Sequence, residues 1–152
     1  METLLKMALN ISSPAFSHGE DIPPKYTCDG QNVNPALRVE GLPEQSKTMA
    51  LILEDPDAPG GTFDHWLVWN IPVSGEIKEN SVPGIEGRNG FEELYYRGPC
   101  PPGGVHRYYF KIFALNRALT LNKGASKNDL LNAMEGHVLA TGSLMGRYKR
   151  NR

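Results

Sequence analysis

The stretch Met49-Ala50-Leu51-Ile52-Leu53-Glu54-Asp55-Pro56-Asp57-Ala58-Pro59-Gly60-Gly61 decides the reading of the fold. Its first five residues are continuously apolar, and the run is too short for an ordinary helix. Such a run suits a central strand buried on both faces. It stops at Asp55-Pro56, because proline brings no N–H to a ladder. Outward from it, Trp66 to Ile71 is a second apolar strand, closed by Pro72. Ala36 to Glu40 alternates apolar and polar residues, as a half-buried strand does. His106 to Leu115 is the longest strand candidate. Tyr108, Phe110 and Ile112 share one face with His106; Arg107, Tyr109 and Lys111 take the other. Leu9 to Phe16 reads as a first strand ending at Pro14, and Val138 to Tyr148 as a last one. The turn-rich segment Ile22 to Pro35 reads as a structured loop, and the polar, glycine-punctuated Ser74 to Asn89 as mostly loop.

Only one helix is well signalled. Ser126 caps it, Asp129 suits the positive end of its dipole, and Gly136 ends it. Leu130, Leu131 and Met134 form its apolar stripe. The expected fold is a β-rich α+β domain, with two packed antiparallel sheets and one helix in the C-terminal region, spanning 1–152 as a single unit.

Composition narrows the function. The 152 residues carry a net charge of -1, so no global field recruits nucleic acid. No apolar run approaches the ~18 residues of a membrane span. Met1 to Lys6 lacks a basic n-region and an apolar h-region, which leads us to expect a cytoplasmic protein. Cys28 and Cys100 form no CxxC pair and fit no zinc module. They read as two reduced thiols, with one disulfide as the alternative that hyperthermophile cytosols tolerate.

Two segments concentrate polar groups beside stiffened turns. In Asp55-Pro56-Asp57-Ala58-Pro59, followed by Asp64-His65-Trp66, two prolines restrict the backbone around both carboxylates. The carboxylates could converge on one pocket, or could cap their own turn through Asx bonds. The second segment runs from Tyr96 through Gly98-Pro99-Cys100-Pro101-Pro102-Gly103-Gly104 to His106-Arg107-Tyr108. Its glycines permit close backbone approach, and His106 and Tyr108 can both donate to one anion. The plainer alternative is a hairpin loop with a structural histidine. There is no HExxH, no Walker A loop and no GxGxxG. Ser143 in Gly142-Ser143-Leu144-Met145-Gly146 is misplaced for a nucleophile elbow. His18 and His137 have no evident partners. Trp66 and Trp69 read as core or pocket wall.

Together these segments resemble the phosphatidylethanolamine-binding protein (Raf-kinase-inhibitor-like) family. The likeness rests on Asp55 to Pro59 with His65-Trp66, and on Gly98 to Pro102 running into His106-Arg107-Tyr108-Tyr109-Phe110. Tyr26-Thr27-Cys28-Asp29-Gly30-Gln31-Asn32 with Pro35 resembles the bacterial and archaeal branch. The resemblance implies a central antiparallel sheet packed on a smaller one. It also implies a pocket for phosphate, phosphorylated head groups or similar small anions, lined by Asp55, Asp57, His65, Gly98, His106 and Tyr108. It places Cys28 and Cys100 near the pocket mouth, and so near each other. It implies a serine protease or kinase as a partner in some members. Eukaryotic members carry a longer C-terminal helical extension than this chain has after Tyr148, which makes kinase regulation the lesser expectation.

The chemistry must be consistent with two carboxylates in an anion site. Asp55 and Asp57 are therefore expected to orient the imidazoles or to meet an ammonium, leaving His65, His106, Tyr108 and backbone amides to the anion. No cofactor and no metal are expected. A non-enzymatic binding protein is the leading expectation; a hydrolase using an Asp–His pair and a zinc site of Asp and His are the alternatives. The prolines at Asp55-Pro56, Ala58-Pro59 and Pro101-Pro102 lead us to expect at least one cis bond.

Overall fold

The computed structural model describes residues 7–150. Among these residues nine strands form two sheets: β1 (Met7–Ala8), β2 (Asn10–Ser12), β3 (Leu37–Glu40), β4 (Thr48–Asp55), β5 (Phe63–Pro72), β6 (Glu76–Ile77), β7 (Ile85–Glu86), β8 (His106–Leu115) and β9 (Val138–Tyr148). One α-helix, α1 (Lys127–Met134), lies between β8 and β9. The large sheet has the order β1-β9-β8-β4-β5-β7, and the small one β2-β3-β6. The fold is the expected β-rich pair of sheets with a single helix. One pairing departs from it: β1 runs parallel to β9, while the other strand pairs are antiparallel.

β4 is buried at all eight positions, which is why its sequence shows no polar alternation. Its side chains feed two cores. Met49, Leu51 and Leu53 face the small sheet with Trp66, Val68, Phe110 and Ile112, meeting Ile11, Leu37 and Val39. Ala50 and Ile52 point the other way with Leu67 and Trp69, where Leu119, Leu130 and Met134 cover them. At about 1.5–3 kcal/mol for each large apolar side chain removed from water, these two layers hold the sheet between its covers.

Three expectations are corrected. Leu9 to Phe16 is not one strand. The chain leaves the large sheet after Ala8 and joins the small sheet at Asn10, with the Leu9 N–H donating to the Thr141 carbonyl at the crossing. In α1 the capping box forms between Ser126 and Asp129, but only Leu130 and Met134 are buried, and Leu131 is 41% exposed. Two turns of helix present a single i, i+4 pair to the sheet, so a third stripe residue faces outward. No peptide bond among the described residues is cis, so the prolines stiffen their turns in the trans form.

Candidate functional site

Antiparallel pairing brings the end of β4 next to the starts of β5 and β8, and a cavity of about 160 Å³ opens there. Asp55, His65, His106 and Tyr108 form its polar lining; Phe63, Phe91, Pro59 and Pro101 contribute apolar walls. His106 and Tyr108 lie on the core-facing side of β8, two residues apart, as the strand period requires. His65 arrives by a different device. Leu53 pairs with Trp66, but Glu54 pairs with Asp64, so His65 is the extra residue of a bulge. The bulge re-aims it into the cavity beside Trp66 rather than onto the opposite face.

Three of the four polar groups, Asp55, His65 and His106, are held by named partners. His106 Nδ1 lies 2.7 Å from Asp55 Oδ2, both groups nearly fully buried. A carboxylate only accepts, so Nδ1 carries the proton and Nε2 is left to the cavity. The other Asp55 oxygen accepts the Asp57 N–H at 2.7 Å, an Asx bond that also fixes the turn. His65 Nδ1 lies 2.7 Å from the Arg97 carbonyl oxygen. That oxygen too can only accept, so Nδ1–H donates and Nε2 again remains. Burial lowers the His65 pKa, outweighing the Arg97 carbonyl bond and the Asp55 and Asp64 charges that would raise it. The Tyr108 hydroxyl is fully buried; the Asp55 carboxylate and the Cys100 backbone lie near it, but neither makes a well-formed hydrogen bond with it. Burial pushes its pKa far up, and the nearby Asp55 carboxylate adds to this, so it stays protonated and available as a donor.

The walls are tied down from outside. Cys28 and Cys100 form a disulfide, with Cα atoms 5.4 Å apart, which corrects the reading of two reduced thiols and bears out their proximity. Beside it the Cys28 N–H donates to the Pro99 carbonyl, and the Gly98 N–H to Asn32 Oδ1 at 2.8 Å. A Cβ on Gly98 would collide with the Tyr26 carbonyl oxygen, so this close approach requires glycine. On the opposite wall, Asn89 accepts from the Phe91 and Glu93 N–H groups and donates to the Tyr95 carbonyl. This fixes Phe91 with its ring centroid 4.8 Å from Phe63 and 5.8 Å from His65. The Arg97 guanidinium stacks over Phe91 at 4.4 Å.

The sequence model described as phosphatidylethanolamine-binding protein matches residues 12–149. The chain belongs to the phosphatidylethanolamine-binding protein family. It is 48% identical to a UPF0098 protein of Pyrococcus horikoshii, over 95% of this chain and 78% of that one. A UPF0098 protein of Methanothermobacter thermautotrophicus is 46% identical, over 93% of this chain and 99% of the relative. Among solved structures, a Chlamydia trachomatis homologue of the family superposes with a TM-score of 0.91 at 40% identity, covering 95% of this chain and 99% of its own. Escherichia coli YbcL, a member of the mammalian-type family, gives 0.86 at 27% identity, covering 94% and 99%.

Against this family frame, the six residues singled out in the sequence separate into two groups. Asp55, His65, His106 and Tyr108 line the cavity. Asp57 and Gly98 do not: Asp57 faces the Arg107 guanidinium, at 2.8 and 2.9 Å, and Gly98 sits in the loop packing. Phe63 and Phe91 escaped sequence reading. Nothing in the local pattern around Phe91 signals a wall, because it reaches the cavity through the Asn89 turn. The other two histidines lie outside the cavity: His137 is bonded to Asn116, and His18 accepts from the Met145 N–H. Among the described residues no three His, Cys, Asp or Glu side chains converge as metal ligands. No described helix is long and apolar enough to cross a membrane. A larger concavity of about 580 Å³ lies beside Val105, Arg147 and Lys149, and its acids are engaged by neighbouring arginines.

Proposed function

We propose that this chain is a non-enzymatic, cytoplasmic binding protein for a small anion or phosphorylated head group, held in the cavity between His65, His106 and Tyr108. The observation that carries the reading is the Tyr108 hydroxyl, fully buried, on the cavity wall and without a well-formed hydrogen bond to the protein. A buried donor left unpaired costs about 1–3 kcal/mol, and an oxyanion would satisfy it. His106 supports the same reading. Its Nδ1 is held by Asp55, so a second proton on Nε2 would give an imidazolium donor whose charge the carboxylate balances. The ~160 Å³ volume suits a head group rather than a whole lipid chain. Cys100 is engaged in the disulfide, so its thiol is not available as a nucleophile at the cavity. A cytoplasmic disulfide is compatible with hyperthermophile cells.

The test is thermal unfolding with phosphate or phosphoethanolamine. At a hundredfold excess over Kd, binding adds about 2.7 kcal/mol, on the order of 5–10 °C in Tm for a chain of this size. His106→Ala should remain folded and lose that shift. An undiminished shift would overturn the assignment. Turnover of simple phosphate or carboxylic esters by the purified protein, abolished in the same variant, would favour the hydrolase alternative instead.

A further inference from the structure

The two imidazoles that line the cavity are not equivalent. His106 donates through Nδ1 to a carboxylate, so its Nε2 can hold a lone pair when neutral and a proton when the ring is charged. His65 donates through Nδ1 to the Arg97 carbonyl, a neutral partner with no charge to balance an imidazolium. His65 is 4% exposed, and its ring is boxed by Phe63, Phe91 and Tyr108, with ring centroids 5.3, 5.8 and 5.5 Å away. The charged groups around it are Asp55, Asp64 and the Arg97 guanidinium, with the last opposing a second proton. Burial dominates their sum and favours the neutral ring. Its Nε2 makes no hydrogen bond with a described residue and belongs to a cavity-lining side chain.

We infer that His65 is a specificity residue: it presents a fixed lone pair to the cavity and so selects a ligand that brings its own proton, a monoprotonated phosphate or phosphomonoester over a sulfate or sulfate ester. This rests on the anion-binding reading above. The complementary ligand accepts from the Tyr108 hydroxyl and from charged His106, and donates one O–H to His65 Nε2. A sulfate has no proton to donate, so one of its oxygens would place lone pairs against the imidazole lone pair. Beside a buried imidazole, a mismatch of this kind costs a hydrogen bond and adds a repulsion. The Arg97 carbonyl is then a positioning group, because it alone fixes which nitrogen keeps the lone pair.

Methyl phosphate and methyl sulfate isolate this proton. Near pH 6, about half of a phosphate monoester is the monoanion, which matches methyl sulfate in shape and charge but carries one O–H. Calorimetry on the intact protein should give a Kd for methyl phosphate at least tenfold lower than for methyl sulfate. Comparable or tighter binding of the sulfate ester overturns the selectivity and leaves the anion site standing. Binding of neither ester, nor of inorganic phosphate or phosphoethanolamine, overturns the site itself and this inference with it. His65→Gln, which can turn an amide donor toward the cavity, should bring the two esters within about threefold of each other; an unchanged ratio in that folded variant assigns the selection elsewhere. A readout independent of any variant is the ¹⁵N spectrum of the His65 ring at the same pH. The expected pattern is a neutral ring protonated at Nδ1, and either the Nε2–H tautomer or an imidazolium overturns the inference.

Discussion

Asp55 and Asp57 stand two residues apart, and each reaches across to β8, yet they live in different media. Asp55 is 3% exposed and bonded to His106; Asp57 is at the surface and bonded to Arg107 through both side-chain oxygens and the Arg107 backbone N–H. Adjacent residues of a strand point to opposite faces, so His106 and Arg107 necessarily offer one carboxylate a buried partner and the other an exposed one. Pro56 holds the turn between them. The lesson is that two acids in one motif divide the labour: one fixes the proton of a cavity imidazole, and the other fixes the backbone at which β8 begins.

The sharpest way to break this comparison is Asp55→Ala. It strips buried His106 Nδ1 of its acceptor and the half-buried Asp57 N–H of its Asx bond. The expected cost is about 2–4 kcal/mol of stability, with at least a tenfold loss of anion affinity. Urea denaturation and calorimetric titration read the two effects separately; a variant as stable and as competent as wild type would make the buried pair dispensable. Asp57→Ala should be far milder, because exposed pairs contribute little: a Tm drop of no more than ~2–3 °C, with affinity retained within about threefold. If Asp57→Ala abolished binding as Asp55→Ala is expected to, the division of labour would be wrong.

The smallest effect sharpens the comparison by pH. Side-chain hydrogen bonds from Arg107 hold the Asp57 carboxyl down to about 2. A depressed carboxyl contributes stability above its unfolded pKa of ~3.9, and the contribution is lost as pH falls through the folded value. The difference in urea midpoint between wild type and Asp57→Asn should therefore be present at pH 5 and close as pH falls toward 2. A gap that stays constant would deny the ion pair any role.

How much of this was legible beforehand follows from the length scale of each signal. β4, β8 and β9 announce themselves because burial on one or both faces is written into consecutive residues, and β8 and β9 have the expected limits. β1 and β2 do not, because an alternating pattern says which face is buried but not which sheet, and the chain changes sheets at Leu9. The parallel β1–β9 pair is invisible for the same reason. Asp55, His106 and Tyr108 were legible because motif and strand period agree on their direction. His65 points inward only because a bulge interrupts that period, and no residue type at Asp64 or Trp66 announces a bulge. The Cys28–Cys100 bridge joins residues 72 apart in sequence, a separation at which spacing alone carries no information on proximity. Phe91 is placed by Asn89 through four backbone groups, and side-chain chemistry of that kind becomes visible only in three dimensions.

The placement of β4 has a consequence for how the chain is made. One of its faces can be covered as soon as β2 and β3 have left the ribosome, because both precede it. The other face waits for Leu119, Leu130 and Met134, and one of its edges waits for β8. At ordinary rates of synthesis that interval is on the order of 4–16 s. For that time the most apolar strand in the protein is presented with a bare face and an unpaired edge, the combination that recruits other strands. Ribosome-bound chaperones that recognise extended apolar segments should crosslink most strongly to nascent chains ending between Pro72 and Leu115, and release them once Met134 emerges.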